Sequence, residues 1–342
     1  MGELLRSVAP GLRLLSSYRR SWLSKDLIAG LVLTALLVPQ GMAYAELAGL
    51  PPITGLYTSI LCLVGYAIFG PSKILVLGPD SSLGPMIAAT IIPIVGANGD
   101  PQRAIALASM LALLVGVMTV LAGIAKLGFV ADLLSKPTQI GYMNGLALTI
   151  LVGQLPKLFG FPVDADGLIP EAAGFARGLA NGETAASALS VGLLGLVLII
   201  VLQRLLPKLP AVLVAVVVSI LAANAFNLAD HGVSLVGPLP KGFPPFTLPS
   251  VAMSDLALLV AGAIGIAVVS LTDTISTSSA FAARTGQEVD GNREMIGIGA
   301  ANIAAGFFQG FPVSTSGSRT AVAEQAGART QVPGWSGRGR SP

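Results

Sequence analysis

Long apolar runs, each near the length of a bilayer crossing, alternate with short polar or glycine- and proline-rich joints along this chain. A spanning helix takes roughly 20 mainly apolar residues. By that measure the pattern predicts spans at about 27–47, 53–70, 81–96, 103–125, 138–156, 185–203, 208–225, 253–282 and 291–310. A further segment begins near Ser316 and then runs out of apolar residues. The first run comes after a basic stretch (Arg6, Arg13, Arg19, Arg20, Lys25) and continues past signal-peptide length, so it reads as a retained first span.

The basic residues orient these spans. With the N-terminus in the cytoplasm, Arg6, Arg13, Arg19, Arg20, Lys25, Lys73, Lys126, Lys136, Arg204, Lys208, Arg284 and Arg293 fall inside. Arg103, Lys157, Arg177 and Lys241 fall outside, a bias of twelve to four. The longest outer loop, about 157–184, carries Asp164, Asp166, Glu171 and Glu183. Seven spans succeeded by a second set in the opposite sense is the pattern of an inverted repeat. In the first set a long helix is expected to break near Pro39-Gln40-Gly41, and a short third segment comes after Leu77-Gly78-Pro79-Asp80-Ser81-Ser82. In the second, a span rich in small polar residues (Ser270, Thr272, Thr274, Ser276 to Ser279) precedes a segment introduced by Phe311-Pro312-Val313-Ser314-Thr315-Ser316-Gly317-Ser318-Arg319.

Composition supports lipid as the main solvent. The 342 residues are 53% hydrophobic and 11% charged, against about 25% charged in soluble domains. The abundant Gly (41) and Pro (23) then point to broken, closely packed helices. The net charge of +3 is not gathered into a basic, aromatic-bearing face, which excludes nucleic acid as a partner. One cysteine, Cys62, and one histidine, His231, exclude a disulfide framework and a soft-metal site, so no cofactor is expected.

The matched pair of interrupted segments is the candidate site. Ser81 and Ser318 each fall where a half-helix would start in mid-membrane. Unpaired N–H groups and the positive end of the helix dipole make such starts attractive to anions, although serine also caps helices with no further role. Arg319 would supply the fixed cation for a desolvated anion, or else sit in an ion pair with Glu324 or Asp273. Asp273, central in its span, would carry a proton or help bind sodium, or lock neighbouring helices as a neutral acid. Glu46 is a second carboxylate for coupling or an interfacial residue. Asp80 either occupies the N–H groups of the cradle or points toward Lys73. Glu294 would cap its helix or pair with Arg293. Gln40 and Tyr44, one turn apart, share a face suited to contacting an oxyanion or to bonding across helices.

Val38-Pro39-Gln40-Gly41-Met42-Ala43-Tyr44-Ala45, Leu47-Ala48-Gly49-Leu50-Pro51-Pro52 and Gly55-Leu56-Tyr57 resemble the signature of the SulP (sulfate permease) family around its first two spans. Gly78-Pro79, Asn292-Arg293-Glu294, Ala301-Asn302, Ser318-Arg319-Thr320 and Gly327-Ala328-Arg329-Thr330 are similar to its later motifs, so the match runs from about residue 20 to 331. The resemblance implies an all-α integral membrane protein of seven plus seven inverted segments, divided into core and gate, with an anion held between the third and tenth and an elevator-like core motion. Gln40, Tyr44, Ser81, Ser82, Ser318 and Arg319 are carried over as substrate-binding residues, and Asp273 and Glu46 as coupling residues for protons or sodium. The expected substrates are small anions such as sulfate, bicarbonate, chloride or dicarboxylates. The expected setting is the cell membrane, and the full-length form is a candidate homodimer.

Residues 1–26 thus read as a cytoplasmic segment and 27–331 as the transporter domain with an incomplete second repeat. Residues 332–342 turn polar, basic and glycine-rich where the family continues through four more spans and usually a STAS domain. This tail is expected to mark a truncated or frameshifted product rather than a native terminus. A nucleobase or xanthine permease shares the architecture and is the rival reading, beside a non-functional fragment. A membrane-embedded enzyme or sensor is disfavoured, for no metal-ligand spacing, nucleophile–base pair or phosphate loop occurs.

Overall fold

The computed structural model describes residues 22–72, 75–96, 99–128, 136–163, 165, 168–206, 211–237, 239–240, 242–285 and 289–325. Most of the basic N-terminal segment, Lys73, Asp164, Asp166, Lys208, Lys241 and the 332–342 tail lie outside the described residues. Eleven α-helices account for nearly all of the regular structure within them: α1 (Leu23–Leu47), α2 (Pro52–Phe69), α3 (Gly84–Val95), α4 (Pro101–Ile124), α5 (Lys136–Phe159), α6 (Leu168–Ala180), α7 (Ala186–Leu205), α8 (Ala211–Ala225), α9 (Met253–Thr285), α10 (Gly291–Gly306) and α11 (Gly317–Gln325). Two two-residue strands, β1 (Leu77–Gly78) and β2 (Ser314–Thr315), and a 3-10 turn at Leu228–His231 complete it.

Among the described residues, five helices are long and apolar enough to cross a membrane, covering Asp26–Leu47, Pro52–Phe69, Pro101–Ile124, Ala186–Leu205 and Met253–Ala282. At 1.5 Å per residue α9 is about 50 Å long, more than a 30 Å hydrocarbon core. By the same measure the 12-residue α3 is about 18 Å long, shorter than that core. Every predicted span has its helix, with two differences. α1 runs unbroken through Pro39, because membrane helices re-satisfy the carbonyl that a proline leaves free. The predicted outer loop contains α6, whose 13 residues are amphipathic and too few to register as a span.

The chain divides into two compact units, residues 1–135 with 240–342, and residues 136–239. In the first, α10 packs against both α2 and α4, α9 lies on α3 and α4, and α1 contacts α2, α3 and α11. One core cluster gathers Leu83, Ile87, Leu107, Leu111, Ile266 and Phe311. A second gathers Cys62, Tyr66, Leu77, Met295, Ile298 and Val313. The α1–α2 crossing depends on glycine. A Cβ on Gly41 would sit 2.9 Å from Ser59 Oγ, and one on Gly55 would collide with the Gly41 carbonyl. In the second unit, α7 packs on α5 and α8 and α6 packs on α5. Phe175 of α6 lies edge-on to Phe159 and stacks on Phe161, at 5.1 and 5.7 Å. None of the apolar residues of α7 is buried, a surface suited to hydrocarbon rather than water.

Candidate functional site

The two interrupted segments meet. β1 and β2 pair antiparallel, Leu77 opposite Thr315 and Gly78 opposite Ser314, and Ser316 N–H donates to Val76 O at 3.1 Å. Each strand leads within a few residues into a short helix, α3 or α11, that starts inside the protein. The second segment is pinned by polar side chains from the surrounding helices. Thr58 accepts from Phe311 N–H and Ser109 donates to Gly310 O. Ser270 donates to Val313 O, Asn302 accepts from Val313 N–H, and Thr315 bonds Thr274. The first segment is then tied to the second: Val76 N–H donates to Thr320 Oγ1 at 3.1 Å.

Arg319 lies at this junction, with 1% of its surface exposed. Its Nη1 donates to Pro79 O at 2.5 Å and its Nη2 to Asp80 Oδ2 at 3.4 Å. Its Nε is buried with no hydrogen-bond partner among the described residues. Gly78 makes room for it, since a Cβ there would lie 3.1 Å from Nη1. The ion-pair partner is therefore Asp80, not the expected Glu324 or Asp273. Sequence could not select it, because the two residues lie 239 positions apart and are joined only by the strand pairing.

Asp80 does two jobs, for its Oδ1 also accepts from Ser82 N–H at 3.0 Å. Regular helix begins at Gly84 rather than at Ser81, which sits in the preceding turn. The Asp80 carboxylate thus closes the turn before α3, and the Asp80 carbonyl accepts from Leu83 and Gly84 N–H at 3.3 and 3.2 Å. The first N–H groups of α11, at Gly317 and Ser318, lack intrahelical acceptors by helix geometry. The two helix starts are therefore unequal, with Asp80 beside the first and unpaired helix-start N–H groups at the second.

The other candidates divide. Ser82 is buried and donates to Asp273 Oδ2 at 3.0 Å, which joins α3 to α9. Ser314 Oγ is buried beside the Asp273 carboxylate without a well-formed hydrogen bond. The Tyr44 phenol interacts with the Ser81 hydroxyl and stands within electrostatic range of Asp80 and Arg319. Ser318 is exposed, its Oγ 3.1 Å from Ser316 Oγ. Gln40 is half-buried one turn before Tyr44, and Glu46 is exposed near the end of α1. The structure brings Tyr44, Ser81, Ser82, Asp273 and Arg319 together and leaves Glu46 on the surface.

Glu294 is neither the cap of α10 nor a partner of Arg293. Asp290 caps the helix and pairs with Arg293 at 3.2 Å. Glu294 is buried and accepts the Tyr66 hydroxyl at 2.6 Å.

A model of the sulfate permease family matches residues 23–335, nearly the whole chain. The chain belongs to the sulfate permease family. A probable sulfate transporter of Mycobacterium tuberculosis is 43% identical over 324 residues, covering 95% of this chain and 57% of that protein. Human solute carrier family 26 member 6 is 32% identical, covering 92% and 44%. The chain spans about half the length of the curated relatives it matches. The murine solute carrier 26 member A9 anion transporter, solved in an inward-facing state, superposes with a TM-score of 0.88 over 97% of this chain and 58% of that one, at 24% identity. The transmembrane domain of a cyanobacterial bicarbonate transporter, BicA, gives 0.80 over 92% and 80%, at 23% identity. These likenesses establish an all-α, multi-pass integral membrane fold, and the relatives bear the names of transport proteins, not of enzymes.

Within this member of the sulfate permease family, sequence reasoning gave no role to Thr58 and Ser109 and named Asn302 only within a motif, though all three hold the 310–316 stretch. Thr58, Ser109 and Asn302 are fully or almost fully buried. A readable signal existed in each, a polar residue inside an otherwise apolar span, where it needs a specific partner. Nothing local identified that partner.

Proposed function

We propose that the complete protein is a secondary active transporter of small anions of the sulfate, bicarbonate or dicarboxylate class. One observation carries the reading. Arg319 is buried between two strand-linked half-helices with its Nε unpartnered among the described residues. An unsatisfied guanidinium N–H and the first N–H groups of α11, at Gly317 and Ser318, are donors suited to an oxyanion. Ser81 and Tyr44 add neutral hydroxyls nearby, and Ser82, whose own donors are spent on Asp80 and Asp273, links them to the coupling carboxylate. The names of the relatives, sulfate transporters and a bicarbonate transporter, favour the same substrate class.

Alternating access by an elevator-like movement of the first unit is the mechanism we favour, with the protein in the cell membrane, its N-terminus cytoplasmic and the full-length form a homodimer. Asp273 is the coupling group for protons or sodium, because its carboxylate bonds Ser82 at the start of the anion cradle. Glu46, exposed, has the weaker claim.

Isotopic uptake into proteoliposomes of the full-length protein, across pH and sodium gradients, tests both parts. Sulfate or bicarbonate uptake is expected in the wild type and none in Arg319→Ala. Asp273→Asn is expected to flatten the response to the gradients while anion binding persists. Undiminished uptake by Arg319→Ala would sink the anion site. An unaltered gradient response in Asp273→Asn would sink the coupling role. Thermal protection by uracil instead of sulfate or bicarbonate would point to a nucleobase permease.

A further inference from the structure

Asn302 lies on α10, on neither half-helix, and is completely buried. All of its carboxamide is used. Oδ1 accepts from Val313 N–H at 2.9 Å, while Nδ2 donates to Ile298 O at 2.9 Å and to Val313 O at 3.4 Å. Ser270 of α9 donates to that same Val313 carbonyl at 2.9 Å. One edge of the second segment pairs with β1 through Ser314 and Thr315. One residue earlier, where no strand is available, the Asn302 amide gives Val313 the acceptor and donor a neighbouring strand would provide. Among side chains of this size only asparagine carries both groups: aspartate lacks the donor and leucine lacks both.

Val313 matters because the next few residues build the cradle. Ser314 and Thr315 set the register with β1, α11 starts at Gly317, and Arg319 comes two residues later. Arg319 and Thr320 in turn hold Pro79, Asp80 and Val76 of the first segment. Val313 is thus the anchored residue nearest in sequence before the strand pairing, and Thr315 is held just after it by Thr274. We propose that Asn302 is a positioning residue for anion binding: by fixing the N–H and C=O of Val313 it sets where α11 begins, and so places Arg319, without touching the anion. This role rests on the reading of the cradle as an anion site.

The test compares the concentration dependence of sulfate and bicarbonate uptake, and the thermal midpoint, for the full-length wild type, Asn302→Asp, Ser270→Ala and Ser109→Ala. Asn302→Asp keeps the acceptor for Val313 N–H but faces two carbonyl oxygens with no donor when ionised and a single O–H when neutral, so at least one of the two bonds is lost. Its KM is expected to rise at least about tenfold. Ser270→Ala, a milder loss at the same carbonyl, is expected to raise KM about fivefold, the worth of one net hydrogen bond. Ser109→Ala removes a buried bond at Gly310, well before the cradle. It is expected to lower the thermal midpoint with KM unchanged. Should Asn302→Asp fail to fold, Ser270→Ala decides alone. A wild-type KM in whichever of these two variants folds overturns the inference. So does an equal KM rise in Ser109→Ala, which would make Asn302 structural only. Absence of any anion uptake by the wild type overturns the anion-site reading itself, and this inference with it.

Discussion

Asp80 and Arg319 hold each other in a buried pair, with which an anion bound as proposed would have to compete. The pair is at 3.4 Å, with Arg319 1% and Asp80 16% exposed. Removing one partner of such a pair leaves an uncompensated buried charge, at about 3–5 kcal/mol. Asp80→Asn keeps an oxygen for Ser82 N–H but takes away the negative charge. The expected outcome is a protein less stable in anion-free buffer, by about 3 kcal/mol, and regaining thermal midpoint as sulfate or bicarbonate is added. Ligand that binds only the folded state stabilises it by mass action, so the recovery should track the binding curve. A midpoint insensitive to anion in Asp80→Asn would show that no anion replaces the lost carboxylate. Sequence exposed the individual residues of this site, since an arginine, an aspartate and clustered serines stand out in apolar surroundings. The pairing among them stayed hidden because it is made across 239 residues by two strands of two residues, too short for any periodicity.

Elements were the most legible level, because a bilayer imposes one length on every crossing. α2, α4, α7 and α9 fall where the apolar runs placed them. What the runs did not reveal is how closely neighbours approach. α1 and α2 cross where Gly55 faces the Gly41 carbonyl, with no space for a Cβ. Without a hydrophobic drive between helices in lipid, such small-residue contacts carry the association. Gly55→Val is expected to cost about 3 kcal/mol through overpacking, read as a lower thermal midpoint in detergent, while Gly195→Val is neutral because a Cβ there meets nothing within 4 Å. Equal midpoints for the two variants would refute the tight crossing. Since α1 also contacts α3 and α11, this packing positions Tyr44 against the cradle as well as holding the unit together.

At the scale of the whole molecule, exposure alone does not distinguish lipid from water, and this protein exposes both kinds of surface. Leu31 is 74% and Leu194 69% exposed, on helices apolar enough to span, and burying such side chains in hydrocarbon is favourable. Ser318 is also exposed, yet it stands beside a buried guanidinium and the polar start of α11. If the cradle opens to an aqueous path, as transport requires, the two classes should differ in chemistry though not in geometry. The chain's single cysteine, Cys62, is 0% exposed, so introduced thiols can be read without removing it. Ser318→Cys should react quickly with a charged, water-soluble methanethiosulfonate reagent, and saturating sulfate or bicarbonate should slow the reaction. Leu31→Cys and Leu194→Cys should resist that reagent and react with a membrane-partitioning maleimide. Protection at 318 ties the anion to the start of α11, whereas slow labelling there, or labelling indifferent to anion, would separate the cradle from the permeation path. The comparison needs no assumption about the coupling ion, because it reads only which solvent reaches each position and what competes for it.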